Sequence, residues 1–187
     1  MNMNYKIEFH TYWHCGSGLA SGADLDALVV KDKNGMPFVP GKTVKGLLRE
    51  AVEEIRGLQG KGTDDLADSF GFFDDDAEKA QKGSMFFVNA ELKKEEYNAI
   101  VDNDATRYMF SDVANTAIAE DGIAKEHSLR RTEVVVPCTM YGEILDVPES
   151  LASELEKAIG FVKRIGQNRN RGLGRCTMSV IKEGGEQ

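Results

Sequence analysis

The residue types best suited to chemistry lie in a basic, glycine-rich segment near the C-terminus, NRNRGLGR at positions 168–175. Its arginines carry planar, forked donors that match the geometry of phosphate, and its glycines let a backbone approach a ligand closely and expose amide donors. The residues concerned are Arg169, Arg171, Gly172, Gly174 and Arg175. The segment predicts a clamp for a nucleic-acid backbone; the alternative is a tight turn with solvated arginines before an edge strand.

A second basic segment, VPGKTVKGLLR at 39–49, combines a proline–glycine pair with the start of a helical pattern. A helix that begins here directs its first amide groups toward any anion in front of it. The residues predicted to contact phosphate are Lys42, Thr43, Lys45 and Arg49. The GKT triplet is not a P-loop, because the required glycine five positions before Gly41 is replaced by Met36. An ordinary helix with solvated lysines is the alternative.

Two carboxylates lie in the glycine-rich stretch GADLDALVVKDKNG. Asp24 and Asp26 are two residues apart, so in extended chain their side chains point the same way. Such a pair can hold Mg²⁺ while water and a substrate phosphate complete the coordination shell. The same residues can instead cap turns.

Histidines and cysteines offer weaker signals. His10 and His14 share one face of a predicted strand, and His14 is a candidate general base, although a structural role is the commoner one for each of the chain's histidines. Cys15, Cys138 and Cys176 are odd in number and far apart. Their spacing excludes a metal-ligand motif and favours neutral thiols over a disulfide framework.

The charge distribution is uneven. The chain has 187 residues and a net charge of −8, which by itself disfavours nucleic acid as a ligand. However, residues 162–187 carry 6 Lys/Arg and 2 Asp/Glu, and residues 1–62 carry 8 and 7, so the acidic excess lies between them. If the two ends meet in space, they form a local basic surface, and a local field is sufficient for phosphate binding.

Hydrophobic periodicity predicts the elements that position these residues. Alternation over 5–13 predicts a half-buried strand, and a helical stripe begins at Thr43 and ends near Gly57. The further predicted elements are a strand at 84–92, strands at 132–137 and 139–145 or one strand there with a break at Pro137, a helix that opens at Pro148, and a strand at 176–181. The order strand, helix, strand, strand, helix, strand predicts an α+β, ferredoxin-like βαββαβ core.

Residues 93–132 do not fit that core. They are polar and weakly periodic, and we interpret them as a long insertion with one short helix in a single domain that spans 1–187. Arg130 and Arg131 at its end are candidate nucleic-acid contacts or only flank a strand. The chain shows neither an apolar run of transmembrane length nor a signal-peptide pattern, so we expect a cytoplasmic protein without a membrane partner.

Three stretches in this order resemble the RAMP superfamily of CRISPR-associated proteins: DALVVK followed by PFVPGKTVKGLLR, then DGIAKEHSLRRTEVVVP, then NRNRGLGR. The resemblance covers essentially the whole chain and is strongest to the repeated backbone subunit of type III (Csm/Cmr-like) effector complexes. It implies a core similar to an RNA-recognition motif with a thumb-like insertion. It also implies that guide RNA, target RNA, other effector subunits and further copies of the chain in a filament are partners.

The same resemblance implies a catalytic role for one aspartate. The family's metal-dependent cleavage of target RNA uses an aspartate that falls on Asp26 here, with Asp24 as a neighbour and Mg²⁺ or a similar divalent metal as cofactor. This chain departs from the pattern at Lys42, where a small hydroxylated residue is usual, and it is short for the group. Three alternatives stay open: a non-catalytic RNA-binding scaffold subunit, a metal-independent guide-processing endoribonuclease with His14 as its base, and a ferredoxin-like small-molecule or regulatory domain.

Overall fold

The computed structural model describes residues 1–19, 25–72, 80–117, 120, 122–123, 125 and 128–182. Its main sheet has four strands. In chain order they are β1 (Met3–Phe9), β2 (Phe86–Phe87), β5 (Thr139–Leu145) and β6 (Cys176–Val180). Their spatial order is β2-β5-β1-β6 with antiparallel neighbours, so the last strand lies beside the first. This is the ferredoxin-like arrangement, and the predicted fold class is confirmed.

The alternating pattern of β1 explains its central position. Met3, Tyr5, Ile7 and Phe9 are buried on one face, and the register places Ile7 opposite a methionine on each neighbouring strand. These side chains form the floor of the core. The predicted strand at 5–13 is too long, because the chain bends after Phe9 and Trp13 pairs instead with Val135 of another strand.

Two helices cover the buried face of the sheet. They are α1 (Gly41–Leu58) and α4 (Glu149–Phe161). The apolar stripe predicted for α4 is confirmed, since Leu151, Leu155 and Ile159 are buried. α1 begins two residues earlier than predicted and extends one residue past Gly57. No helix among the described residues is long and apolar enough to cross a membrane.

Two stretches lie between α1 and residue 93. The segment from the end of α1 to the strand predicted at 84–92 contains a short helix, α2 (Leu66–Phe70), because Leu66 and Phe70 enter the core. The strand expected at 84–92 is regular only at β2, because its later residues pair in turn with Val39 and Tyr141 rather than with one continuous partner.

The stretch interpreted as an insertion contains more structure than one helix. α3 (Lys94–Asp102) is followed by β3 (Phe110–Asn115), which pairs with β4 (Arg130–Val135) in a separate two-stranded sheet. The chain between these two strands is described only in part. The division into one domain with an insertion stays a prediction.

Candidate nucleic-acid interface

The N-terminus of α1 opens on a cleft of about 400 Å³, which we name the α1 cleft. The residues that line it include His14, Gly16, Lys42, Thr43, Gln167 and Arg169. Lys42 comes from the N-terminal basic segment and Arg169 from the C-terminal one, so the two ends of the chain meet here as the charge distribution suggested. Glu50 of α1 also lines the cleft and partly offsets the two cations.

Local contacts fix where α1 begins. Pro40 precedes the helix in an extended conformation, and the Gly41 amide donates to Asn89 Oδ1 at 2.9 Å. A Cβ at position 41 would overlap the carbonyl oxygen of Phe87, so only glycine fits at this contact. The first turn contains no acidic residue, which leaves the positive end of the helix dipole available to an anion.

The C-terminal basic segment is held against the chain just after β1. The Gln167 amide donates to the His14 carbonyl at 2.8 Å, and the Gly174 amide donates to the Tyr12 carbonyl at 2.7 Å. Gly174 is buried with φ +70°, and a Cβ there would overlap the Ile165 carbonyl oxygen. This corrects the expectation of an exposed amide donor at Gly174, because that amide and the space beside it are used within the fold.

The other predicted site residues of the segment, which are Arg169, Arg171, Gly172 and Arg175, are exposed. Arg169 and Arg171 form one 3-10 turn, and Gly172 follows it with φ +92° and open space where a Cβ would be. The Arg175 side chain is also exposed, while its amide donates to Thr11 Oγ1 at 3.1 Å. Of these arginines Arg169 alone lines the α1 cleft. Their contacts with RNA stay predictions.

Lys45 and Arg49 do not line the α1 cleft, although Arg49 lies on nearly the same stripe of the helix as Lys42. Arg49 donates to Glu53 Oε1 at 2.8 Å and to the Gly71 carbonyl at 2.9 Å. These partners hold its guanidinium further along the helix, so Arg49 does not share the cleft with Lys42 and Thr43. The predicted contacts of Lys45 and Arg49 with phosphate stay predictions.

Asp26 lies in an exposed position beside β4. Its amide donates to the Arg131 carbonyl at 2.9 Å, and its Oδ2 accepts from the Arg131 amide at 2.8 Å. Together with His14, Gly16 and Gln167 it also lines a smaller cleft next to the α1 cleft. The structure thus brings the predicted catalytic aspartate close to the predicted phosphate-binding residues.

Metal binding at this point depends on few protein atoms. Asp24 lies outside the described residues, and within the described part of the chain no group of three or more His, Cys, Asp or Glu residues could hold a metal ion. Asp26 offers Oδ1, because Oδ2 is engaged with the Arg131 amide. One carboxylate oxygen with water and phosphate ligands fits the usual binding of Mg²⁺.

The two arginines at the start of β4 differ in their contacts. The Arg131 guanidinium donates to Asp112 Oδ2 at 2.7 Å, an ion pair across the β3–β4 hairpin in which both side chains are about half exposed. Arg130 is exposed. Arg131 therefore has a structural role besides its predicted contact with RNA.

Contrary to the sequence prediction, the structure does not place His10 and His14 on one face of a strand. His10 is exposed and its Nε2 lies 2.8 Å from Thr177 Oγ1, whereas His14 is completely buried. His14 Nδ1 lies 2.6 Å from the Glu133 carbonyl oxygen, and its Nε2 has no hydrogen-bond partner among the residues that the structure describes. The bend after β1 separates the two rings, which the alternating sequence did not indicate.

Three residues of this region were not identified from the sequence: Gly16, Glu133 and Gln167. Glu133 is buried and its carboxylate accepts from the Val29 amide at 2.9 Å and pairs with Lys31 Nζ at 2.7 Å. It thereby ties β4 to the chain that follows Asp26. No motif marks these residues, and only their spatial proximity to His14 and Asp26 reveals them.

Thiol chemistry is excluded from the α1 cleft at neutral pH. Cys15 lines the cleft and is buried, and that burial raises the pKa of its thiol to about 12. Burial likewise raises the pKa of Cys138 to about 11. Both remain neutral thiols, as their spacing suggested, and neither is a nucleophile.

Comparison with solved structures places this fold among known complexes. The chain superposes on a chain of "Type III-B Cmr-beta Cryo-EM structure of the Apo state" with a TM-score of 0.73 and 12% sequence identity, covering 98% of each chain. It superposes on a chain of "Cryo-EM structure of the Type III-B Cmr-beta bound to cognate target RNA" with a TM-score of 0.72 and 10% identity, covering 96% of this chain and 97% of that one. At this identity the likeness establishes the fold.

Family membership rests on the sequence as well. A search of curated proteins found no match. The model of the RAMP superfamily, in contrast, matches residues 6–177. That range includes most of β1, the α1 cleft, Asp26 and the whole C-terminal basic segment. This protein therefore belongs to the RAMP superfamily.

Proposed function

We propose that this protein is a backbone subunit of a type III CRISPR effector complex and that it binds guide RNA along the α1 cleft. The observation that carries the proposal is the meeting of Lys42 and Arg169 at the N-terminus of α1 in a chain of net charge −8. Membership in the RAMP superfamily and the fold shared with type III-B Cmr-beta chains support it.

The geometry suits the sugar–phosphate backbone rather than the bases. The N-terminus of α1 contributes the positive end of its helix dipole, Lys42 adds a point charge, and Arg169 adds a forked donor from the C-terminal segment that lines the same cleft. Such contacts fix the position of a strand without reading its sequence. That is the requirement for a guide-binding subunit, since base pairing supplies the specificity.

The proposed complex contains target RNA, other effector subunits and further copies of this chain in a filament. The insertion around 93–132 is the proposed thumb, which contains α3 and the separate β3–β4 hairpin. Arg130, at the start of β4, is the proposed RNA contact of this region, and Arg131 combines such a contact with its ion pair to Asp112.

Asp26 is the proposed catalytic residue for target-RNA cleavage. Its exposed carboxylate is held beside the α1 cleft by two backbone hydrogen bonds to Arg131. It would hold Mg²⁺ through Oδ1, and the bound ion would neutralise charge on the phosphate attacked by the neighbouring ribose 2′-hydroxyl. The buried Glu133 would position Asp26 indirectly, through Val29 and Lys31.

The first experiment is to purify the tagged protein from its own host and to sequence the RNA bound to it. Short RNAs that share one repeat-derived tag and differ in their spacers are the expected result. Protein without RNA, or with random cellular RNA, would contradict a guide-binding role and favour a free-standing domain of the same fold.

The catalytic part is tested separately with Asp26→Ala in the reconstituted complex. We expect normal assembly and guide content with loss of metal-dependent target cleavage. If the variant still cuts target RNA, Asp26 is not the catalytic residue. If the wild-type complex binds target without cutting it, the subunit is a scaffold, and cleavage that persists in EDTA would favour the metal-independent mechanism.

A further inference from the structure

One polar atom at the α1 cleft forms no hydrogen bond with the described residues. His14 Nε2 is buried and has no partner in that part of the chain, although the ring lines both the α1 cleft and the smaller cleft beside Asp26. A buried polar atom without a partner destabilises a protein. Such an atom at a candidate ligand site indicates a partner that arrives with the ligand.

The opposite nitrogen determines what that partner can be. His14 Nδ1 lies 2.6 Å from the Glu133 carbonyl oxygen, which can only accept a hydrogen bond. The neutral ring therefore carries its proton on Nδ1 and presents a lone pair at Nε2. The missing partner is a hydrogen-bond donor.

The space in front of His14 Nε2 contains no side chain from residue 16, because that residue is glycine. A Cβ at Gly16 would lie 3.1 Å from His14 Nε2 and 2.8 Å from Nε2 of the Gln167 side chain. Gly16 does not adopt a positive φ, so the backbone does not demand glycine there. The glycine instead leaves a gap between the imidazole and the exposed Gln167 side chain, which can move aside.

An RNA backbone has one donor suited to this gap. Phosphodiester oxygens carry no proton at neutral pH, so a lone pair repels them, whereas the ribose 2′-hydroxyl both donates and accepts. Lys42 and Arg169 line the same cleft as His14 and provide the adjacent phosphate contact. A donor from a base would instead impose a sequence preference, which does not suit guides with varied spacers.

We propose that His14 Nε2 accepts a hydrogen bond from a ribose 2′-hydroxyl and so makes the α1 cleft select ribose over other sugars. This inference rests on the proposed RNA-binding function and adds the sugar specificity of the same site. Gly16 keeps the site open, and the Glu133 carbonyl holds the tautomer that accepts.

The test compares two oligonucleotides of one mixed sequence, one all-ribose and one with every 2′-hydroxyl replaced by fluorine. The fluorinated strand keeps a similar sugar pucker and all phosphates but has no 2′ donor. For the wild-type protein we expect tighter binding of the ribose strand. Failure of the wild-type protein to bind either strand would contradict the proposed function itself.

Gly16→Ala is the informative variant, because its methyl group occupies the gap without removing the His14–Glu133 hydrogen bond. We expect the preference for ribose to fall about fivefold, the value for one hydrogen bond between neutral groups, with unchanged affinity for the fluorinated strand. Gly46→Ala is the matched control, since Gly46 lines the same cleft and a Cβ there meets no atom within 4 Å. It should leave the preference unchanged.

His14→Phe provides a second measurement. It keeps a ring in the buried position and removes the acceptor, so its preference for ribose should fall as in Gly16→Ala even if the variant is less stable. An unchanged preference in Gly16→Ala would overturn the inference while leaving RNA binding intact. Equal weakening of both strands by Gly16→Ala would also overturn it, since that result would assign the gap to a phosphate.

Discussion

Two parts of α1 carry similar cations and use them differently. At its N-terminus, the side chains of Lys42 and of Arg169 from the C-terminal segment line the open α1 cleft and form no ion pair among the described residues. Arg49 and Arg56, which we name the paired arginines, follow further along the helix on nearly the same stripe as Lys42, but both guanidinium groups are bound by carboxylates. The pairs are Arg49 with Glu53 and Arg56 with Asp65 and Glu154. A cation is available to a ligand only where the fold has not already neutralised it.

This difference separates binding from stability. Substitutions at the α1 cleft should weaken the affinity for RNA and leave the free energy of unfolding nearly unchanged. Substitutions of the paired arginines should do the opposite.

Arg56→Leu is expected to have the largest effect, a loss of about 3 kcal/mol in the free energy of unfolding. Arg56 is 8% exposed, and its guanidinium joins α1 to α4 through Glu154 and to the segment before α2 through Asp65. Its removal leaves the largely buried Glu154 without this partner. Urea unfolding measures the change.

The folded Arg56→Leu protein should also keep the RNA affinity of wild type. Glu50→Gln serves as the control, because it changes a charge on the cleft side of the same helix and should leave stability within about 0.5 kcal/mol. A folded Arg56→Leu protein that no longer binds RNA would show that the two parts of α1 are not separable.

Replacing Lys42 and Arg169 together by alanine is expected to reduce the affinity for single-stranded RNA about thirtyfold, which corresponds to about 2 kcal/mol of binding free energy. The slope of log K against log salt should fall in magnitude by about 0.7 for each phosphate that the protein no longer binds. Titration at several salt concentrations provides both values. An unchanged salt slope would exclude these residues as phosphate ligands.

The sequence predicted the order of the helices and strands but not the contacts of the cations on α1. Alternation in β1 and the stripe of α4 determine burial through short-range periodicity, so the ferredoxin-like order followed from them. The grouping of Lys42 with Arg49 failed because a charge pattern does not show which carboxylate or carbonyl a side chain will reach. The Arg49 guanidinium donates to Glu53 and to the Gly71 carbonyl, and only Glu53 is near it in sequence.

The site was predictable to a similar degree. Arg169 and Lys42 stood out because their residue types and neighbouring glycines have a direct physical meaning. His14 was considered only as a base, since its burial and its Nδ1 contact depend on Glu133, 119 residues away along the chain. Gly16 and Gln167 carry no local signal at all, because their significance is the gap that they leave beside the imidazole.

Acid should reduce the stabilisation that the ion pairs of Arg56 contribute. The Arg56 guanidinium lowers the pKa of Glu154 below its ordinary value of 4.5 and the pKa of Asp65 below 3.8. A carboxylate with a lowered folded-state pKa stabilises the protein above its unfolded-state pKa, and this stabilisation is lost as the pH falls through the folded-state value. The stability gap between wild type and Arg56→Leu should therefore shrink below about pH 4. Urea unfolding from pH 7 to pH 3 measures it, and a constant gap would contradict the assignment.

Arg49→Ala should have the smallest effect on binding, although its sequence context suggests a phosphate ligand. The RNA dissociation constant should stay within about twofold of wild type, because the guanidinium is held by Glu53 and by the Gly71 carbonyl. Stability should fall by about 1 kcal/mol, the sum expected for one partly exposed i,i+4 ion pair and one hydrogen bond to a carbonyl. For a chain of this size that corresponds to a melting temperature about 2–4 °C lower. Lys42→Ala measured beside it provides the contrast, with weaker RNA binding and an unchanged melting temperature. If Arg49→Ala weakened RNA binding as much as Lys42→Ala, the bound strand would have to extend along α1 from Lys42 to Arg49, and the paired arginines would be part of the interface rather than of the scaffold.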